Sequence, residues 1–216
     1  MDHSGLFKTY GEPFIDIYKR SLKGPQAFET ARRDFSEVWR ALVAESQSRP
    51  VFVKDMAYHV LPFLDQHAVG MAAHTFLTRD PRLSIPSLYR MRPDFLDDQP
   101  GFDGQLKLVR EIEKLGGRSP FVMDGETLKL DAKTIVAAYF RYIGFEAPDE
   151  ILSWAKGSRA DWVDRESWHL DAINSEGFSG EPSVVNLKGL PRRVLDFIER
   201  NEPVYEQIME WAYRPR

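Results

Sequence analysis

Arg79 and Ser87, eight residues apart, are of the right types and in the right place to hold a phosphate. The run Thr75 to Thr78 is apolar and β-branched and reads as a strand running into Arg79. Asp80-Pro81 then opens a helix. Asp80 serves as N-cap, and Pro81 falls in the first turn, where a missing N–H has no intrahelical partner to lose. Arg79 is thereby set at the carboxyl end of a strand, with Ser87 two helical turns further on. Ligands of open α/β sheets bind at those carboxyl ends. A guanidinium fork and a hydroxyl converging there suit a phosphate, which takes charge-assisted hydrogen bonds from both. The competing expectation is structural, with Arg79 paired to Asp80 or Asp94 and Ser87 solvated.

Three further residues could do chemistry at strand ends. Lys54 closes the apolar run Val51 to Lys54, and an ammonium there needs an anion, either the adjacent Asp55 or a ligand. Glu12 follows a first strand, Leu6 to Tyr10, and Pro13 stiffens the turn that aims it. His59 lies in KDMAYHVLP, five residues after Lys54. A neutral imidazole can take a proton near neutral pH, or can simply bond a carbonyl at a helix start. His67, His74 and His169 are scattered without the i, i+4 spacing of a helical metal pair, and no HExxH motif occurs, so no metal is expected.

The elements that position these residues alternate. Strands are expected at Leu6 to Tyr10, Val51 to Lys54, Thr75 to Thr78 and Phe121 to Met123. Between them, Gln26 to Glu45 spaces Phe28, Ala31, Phe35, Val38, Trp39 and Leu42 as the apolar face of a helix. Gly104 to Leu115 repeats the pattern and stops at Gly116-Gly117. From Lys133 onward the chain reads as helices and loops, at Lys133 to Ile143, Pro148 to Ala155 and Pro191 to Tyr213. Strands alternating with helices imply βαβ units and a parallel sheet. Trp154, Trp162, Trp168 and Trp211 recur with Leu and Ile and read mostly as core. Aromatics in Trp162 to Phe178 are also candidates to line a pocket. The charge runs Arg32-Arg33-Asp34 and Arg110 to Lys114 are solvated helix faces.

The strand, Arg, seven residues, Ser pattern resembles the 3′-phosphate-binding element of sulfotransferases that use PAPS (3′-phosphoadenosine-5′-phosphosulfate). Upstream, RPVFVKDMAYHVLP (Arg49 to Pro62) is similar to that family's strand ending in Lys, followed by a loop with a His and a Leu-Pro. YGEPFIDIY (Tyr10 to Tyr18) resembles its Glu-Pro-Phe segment. FVMDGETLKLDAKTIVAAYFRYIGFEAPDEILSW (Phe121 to Trp154) resembles its strand, Leu-rich turn, helix and closing Leu-Ser-Trp. These matches run in family order over about three-quarters of the chain.

The resemblance implies a three-layer α/β fold of the P-loop type, a parallel sheet flanked by helices with a helical C-terminal part, formed as a single domain over residues 1–216. It implies sulfuryl transfer from PAPS to a hydroxyl, or an amine, of a small-molecule acceptor. Arg79 and Ser87 would hold the 3′-phosphate, Lys54 would neutralise charge near the sulfuryl group, and Glu12 or His59 would be the base, with Glu12 favoured. No metal is implied. The Gly177 to Gly180 stretch stands where the family's late cofactor-covering loop falls, without its Arg and Lys. The strand and Arg/Gly/Ser/Thr loop that hold the 5′-phosphosulfate in family members have no match here. Three explanations stay open: a fragment or a start assigned too late, a partner chain supplying the piece, or a non-catalytic nucleotide-binding paralogue. The expected association is a homo-oligomer or a partner chain completing the sheet. A P-loop kinase would need a Gly-Lys-Ser/Thr loop, which is missing, and a Mg²⁺ carboxylate, for which only Asp124 is placed.

Composition sets the outer bounds. The 216 residues, 43% apolar and 29% charged, suffice for one sizeable core. A net charge of −4 and a pI near 5.8 disfavour a general nucleic-acid or anionic-membrane binder, while leaving room for a local basic pocket. The chain has no cysteine, which removes disulfides, thiolate nucleophiles and Cys-based zinc sites. No apolar run approaches the ~20 residues of a membrane span, and the polar start is not a signal peptide, so the cytoplasm is the expected location.

Overall fold

The protein is described from a computed structural model, which covers residues 4–97, 99, 101–158, 167 and 169–215. The chain divides into two compact units: residues 1–74 with 103–120, and residues 75–102 with 121–216.

In the first unit β1 (Lys8–Gly11) and β2 (Val51–Lys54) run parallel, Lys8 opposite Val51 and Gly11 opposite Lys54. Parallel neighbours need a long crossover, and α1 (Ile15–Ser21) with α2 (Pro25–Ser46) provides it. Pro25 sits at the start of α2, and the three-and-four spacing buries Ala31, Phe35 and Leu42. Phe14, Ile17 and Phe63 complete that core, with the Phe14 and Phe35 rings 4.5 Å apart. Burying side chains of this size stabilises by about 1.5–3 kcal/mol each.

After β2 come the short helix α3 (Ala57–Val60), a 3₁₀ turn at Leu61–Phe63, and α4 (Gln66–Gly70). Asp65 caps α4 by accepting the Ala68 N–H at 2.8 Å. The next helix, α5 (Pro81–Met91), belongs to the second unit. α6 (Phe102–Lys114), apart from its first residue, lies in the first unit and ends where the two glycines predict. Gly116 turns left-handed at φ 79° and the Gly117 N–H reaches back to the Ile112 carbonyl at 2.9 Å. Only glycine fits at 117: a Cβ there would collide with the Val69 side chain and lie 2.8 Å from Ile112 Cγ2.

In the second unit β3 (Thr75–Thr78) pairs parallel with β4 (Phe121–Asp124), Thr75 opposite Phe121 and Thr78 opposite Asp124. Asp80 caps α5 (Pro81–Met91) through the Arg82 N–H at 2.8 Å, as the Asp-Pro pair predicts. α7 (Gly125–Leu130) and α8 (Ala132–Ile143) follow β4, capped by Asp124 and Asp131. After α9 (Leu170–Ile173), α10 (Arg192–Ile208) packs on α5. The Arg193 guanidinium lies over the Phe95 and Phe197 rings and donates to the Phe95 carbonyl.

The structure corrects several expectations. The four strands form two two-stranded parallel sheets among the described residues, where one continuous sheet was expected. Each pair is closed by its own helical crossover, and pairing across sheets is a non-local choice that strand patterns do not carry. β2 and β3 have the bounds expected, whereas β1 starts at Lys8 rather than Leu6 and both β1 and β4 end one residue later than read, at Gly11 and Asp124. The helix expected over Pro148 to Ala155 is only a 3₁₀ turn, Asp149–Leu152, because Ser153 is extended and bridges Gly177. α10 stops at Ile208, short of Tyr213, because Ala212 bridges Val122 and the Tyr213 N–H donates to the Val122 carbonyl at 2.9 Å. Trp162 and Trp168 lie outside the described residues. No helix of the described residues is long and apolar enough to cross a membrane.

Candidate functional site

In the first unit the carboxyl ends of β1 and β2 bring Glu12 and Lys54 together. The Glu12 N–H donates to the Lys54 carbonyl at 2.6 Å, extending the strand pairing by one step. The Lys54 ammonium in turn donates to the Glu12 carboxylate. Glu12 holds φ at 53°, the left-handed region, and among the described residues it is the one non-glycine to do so. For a residue with a Cβ this costs on the order of 1–3 kcal/mol, and such positions cluster at functional sites. The Lys54 side chain is 56% exposed, Glu12 19%.

Asp55, the structural partner considered for Lys54, is engaged elsewhere. Its carboxylate accepts from the Phe14 N–H at 2.9 Å, the Met56 N–H at 2.7 Å and His59 Nδ1 at 2.6 Å. His59 is 3% exposed, packed against the rings of Tyr18 and Tyr58. The imidazole therefore bonds a carboxylate, where the structural alternative had a carbonyl, and it anchors the loop after β2. Glu12 is the more open of the two candidate bases.

In the second unit Arg79 leaves the end of β3; its charge acts on Asp80, but its hydrogen bonds go to Glu126 and Ser183 rather than to Asp80 or Asp94. Asp80 turns to Arg82, with Oδ1 and Oδ2 each 3.0 Å from Nε. Arg79 Nε donates to Glu126 Oε1 at 3.2 Å and Nη2 donates to Ser183 Oγ at 3.0 Å. Gly125 admits the arginine stem: a Cβ there would be 3.3 Å from the Thr78 carbonyl and 3.5 Å from Arg79 Cγ. Ser183 also accepts from Lys129 Nζ at 3.1 Å, and its hydroxyl and N–H each donate to Glu126 at 2.9 Å. Burial would raise the pKa of Glu126, but the Ser183 N–H and hydroxyl and the Arg79 charge outweigh it and hold the carboxyl below its usual range. Ser87 is half-buried in the second turn of α5, and the Arg79 guanidinium bonds Glu126 and Ser183 instead.

Sequence reasoning missed Glu126, Lys129 and Ser183. In DGETLK, Glu126 lies in the first turn after the Asp124 N-cap and Lys129 in the last turn of the same short helix, a cap-and-turn signal that could have drawn attention to them. Ser183 carries no local signal and lies 104 residues from Arg79.

Asp124, the carboxylate considered for a kinase, is engaged in holding elements together. It accepts from the Thr127 N–H at 2.8 Å, the Thr127 hydroxyl at 2.9 Å and the Tyr205 hydroxyl at 2.9 Å. Burial, then the Asp124 bond and charge, push the Tyr205 hydroxyl pKa well up. Opposite Asp124, the Thr78 hydroxyl is buried without a hydrogen-bond partner among the described residues. Trp154 packs edge-on to Phe178 at 5.4 Å and donates to Ser175 Oγ at 3.2 Å. Among the described residues no three His, Cys, Asp or Glu side chains gather as a metal site would.

The family model described as "Sulfotransferase domain" matches residues 20–208. That range takes in Lys54, His59, Arg79, Ser87, Glu126, Lys129 and Ser183, while Glu12 lies just before it. No curated protein and no solved structure matches the chain significantly.

Proposed function

This chain belongs to the sulfotransferase-domain family, and we propose that it transfers a sulfuryl group from PAPS to a hydroxyl of a small-molecule acceptor. The observation that carries the reading is the Glu12–Lys54 pair: a carboxylate in a left-handed turn and an ammonium, side by side at two parallel strand ends.

PAPS supplies the sulfuryl group and a bisphosphate leaving group, and the residues present fit its phosphate chemistry. Arg79 and Lys129 already hold one oxygen atom between them, that of Ser183. Arg79, with Ser87 from the second turn of α5, would take the 3′-phosphate. Glu12 would accept the proton of the acceptor hydroxyl as the new S–O bond forms. Lys54 would leave Glu12 and place its charge where the leaving phosphate gains negative charge. An exposed ion pair is worth only about 0–1 kcal/mol, so this change of partner is cheap.

The test is turnover with PAPS and a panel of simple hydroxyl acceptors. Glu12→Gln keeps the shape and removes the proton acceptor, so turnover falls by ~10²–10⁴ while affinity for adenosine 3′,5′-bisphosphate is kept. A nearly silent Glu12→Gln, with turnover abolished in a folded His59→Ala variant, would transfer the role to His59.

A further inference from the structure

Two cations in the second unit converge on one neutral oxygen. The Ser183 hydroxyl accepts from Arg79 Nη2 at 3.0 Å and from Lys129 Nζ at 3.1 Å, and donates its proton to Glu126 Oε1 at 2.9 Å. A hydroxyl has one proton and two lone pairs, so all three are used. It is nonetheless a weak acceptor for two full positive charges. A phosphate oxygen between the same two cations would bring its own negative charge to both bonds, where the serine brings only a dipole.

The segment that carries Ser183 is fastened by polar contacts. Its neighbours Val184 and Val185 are 87% and 42% exposed, so little apolar packing holds this stretch down. Its anchor is Glu126, which accepts both the Ser183 N–H and its hydroxyl. Gly180, at φ 69°, supplies a left-handed joint three residues before. Arg79 is divided to match: Nε is held by Glu126 and Nη2 by Ser183. An anion displacing the serine hydroxyl could meet Nη2 and the Lys129 ammonium while Nε keeps its bond to Glu126, provided that it sits clear of Glu126 Oε1, which lies 2.9 Å from the serine oxygen and now takes the hydroxyl proton.

We propose that Arg79 and Lys129 form a two-cation subsite for a nucleotide phosphate monoester, and that Ser183 is an internal occupant that this phosphate displaces. The inference rests on the assignment of Arg79 to the 3′-phosphate. It adds Lys129 as a ligand-binding residue, Glu126 as the residue that positions Arg79, and the Ser183 segment as a latch that yields on binding.

The experiment is titration calorimetry on the full chain with adenosine 3′,5′-bisphosphate and with 5′-AMP, together with hydrogen exchange across residues 179–186. Wild type should prefer the bisphosphate by roughly thirtyfold or more, and Arg79→Ala should abolish that preference. Lys129→Ala, or Lys129→Gln if alanine impairs folding, should reduce it by about tenfold. Ser183→Ala, or Ser183→Gly, should tighten the bisphosphate severalfold and leave 5′-AMP unchanged. Bisphosphate should speed exchange at the Ser183 amide in wild type. Equal affinities or no binding in wild type, or a silent Arg79→Ala, would overturn the phosphate assignment and the latch with it. A preference that depends on Arg79 but ignores Lys129 would overturn the subsite alone. Weaker binding in Ser183→Ala, or slowed exchange at the Ser183 amide on binding, would show that Ser183 is a direct ligand and no latch.

Discussion

Glu12 and Lys54 bond each other twice. The backbone N–H of Glu12 donates to the carbonyl of Lys54, and the ammonium of Lys54 donates back to the carboxylate of Glu12. The first bond fixes the turn after β1 to the end of β2, and the second brings base and cation together at that junction. The pairing Gly11 opposite Lys54 sets this up, since the next residue along β1 must then lie beside the lysine.

Replacing Glu12 by glycine separates strain from chemistry. Glycine removes a left-handed penalty of about 1 kcal/mol or more, and the exposed ion pair it sacrifices is worth about 0–1 kcal/mol. The gain at least matches the loss, so the melting temperature of Glu12→Gly should fall by no more than about 4 °C while sulfuryl transfer is lost. Thermal unfolding beside turnover checks this. A much larger drop in melting temperature would make Glu12 a structural clamp.

His74 should give stability a pH dependence near neutrality. Burial lowers its pKa, opposed only in part by the hydrogen bond at 3.1 Å to the Val69 carbonyl. The folded pKa lies below the unfolded value of about 6.5, so the unfolded chain binds the proton more readily. The stability is therefore full above about pH 6.5 and is lost as pH falls through the lower folded value. His74→Gln keeps a donor for Val69 and removes the titration. Its melting temperature should fall less than that of wild type between pH 7 and 5, and parallel curves would contradict the assignment.

Thr78→Val tests the orphaned hydroxyl at the end of β3. An unsatisfied buried hydroxyl costs about 1–3 kcal/mol, and valine has the same shape without it. The variant should be at least as stable as wild type in denaturant melts, by up to about 1 kcal/mol. A clear loss of stability would mean that the hydroxyl has a partner in solution.

Much of the local structure was legible in the sequence because its signals are local. Asp80-Pro81 announced the start of α5, Gly116-Gly117 the end of α6, and the Phe28 to Leu42 spacing the buried face of α2. The strand-end positions of Lys54 and Arg79, and of Glu12 just past β1, followed from the same kind of pattern, and so did the family that those segments resemble. Partners were not legible. Asp55 adjoins Lys54 in sequence yet bonds His59, because consecutive residues at a strand end point in different directions while residues four apart along the following turn can meet. Arg79 passes over its neighbour Asp80 for Glu126 and Ser183, 47 and 104 residues away. Residue type and strand position determined which side chains could do chemistry; the register of β3 on β4 and the return of the Ser183 segment decided which charges meet, since ion pairing depends on distance in space.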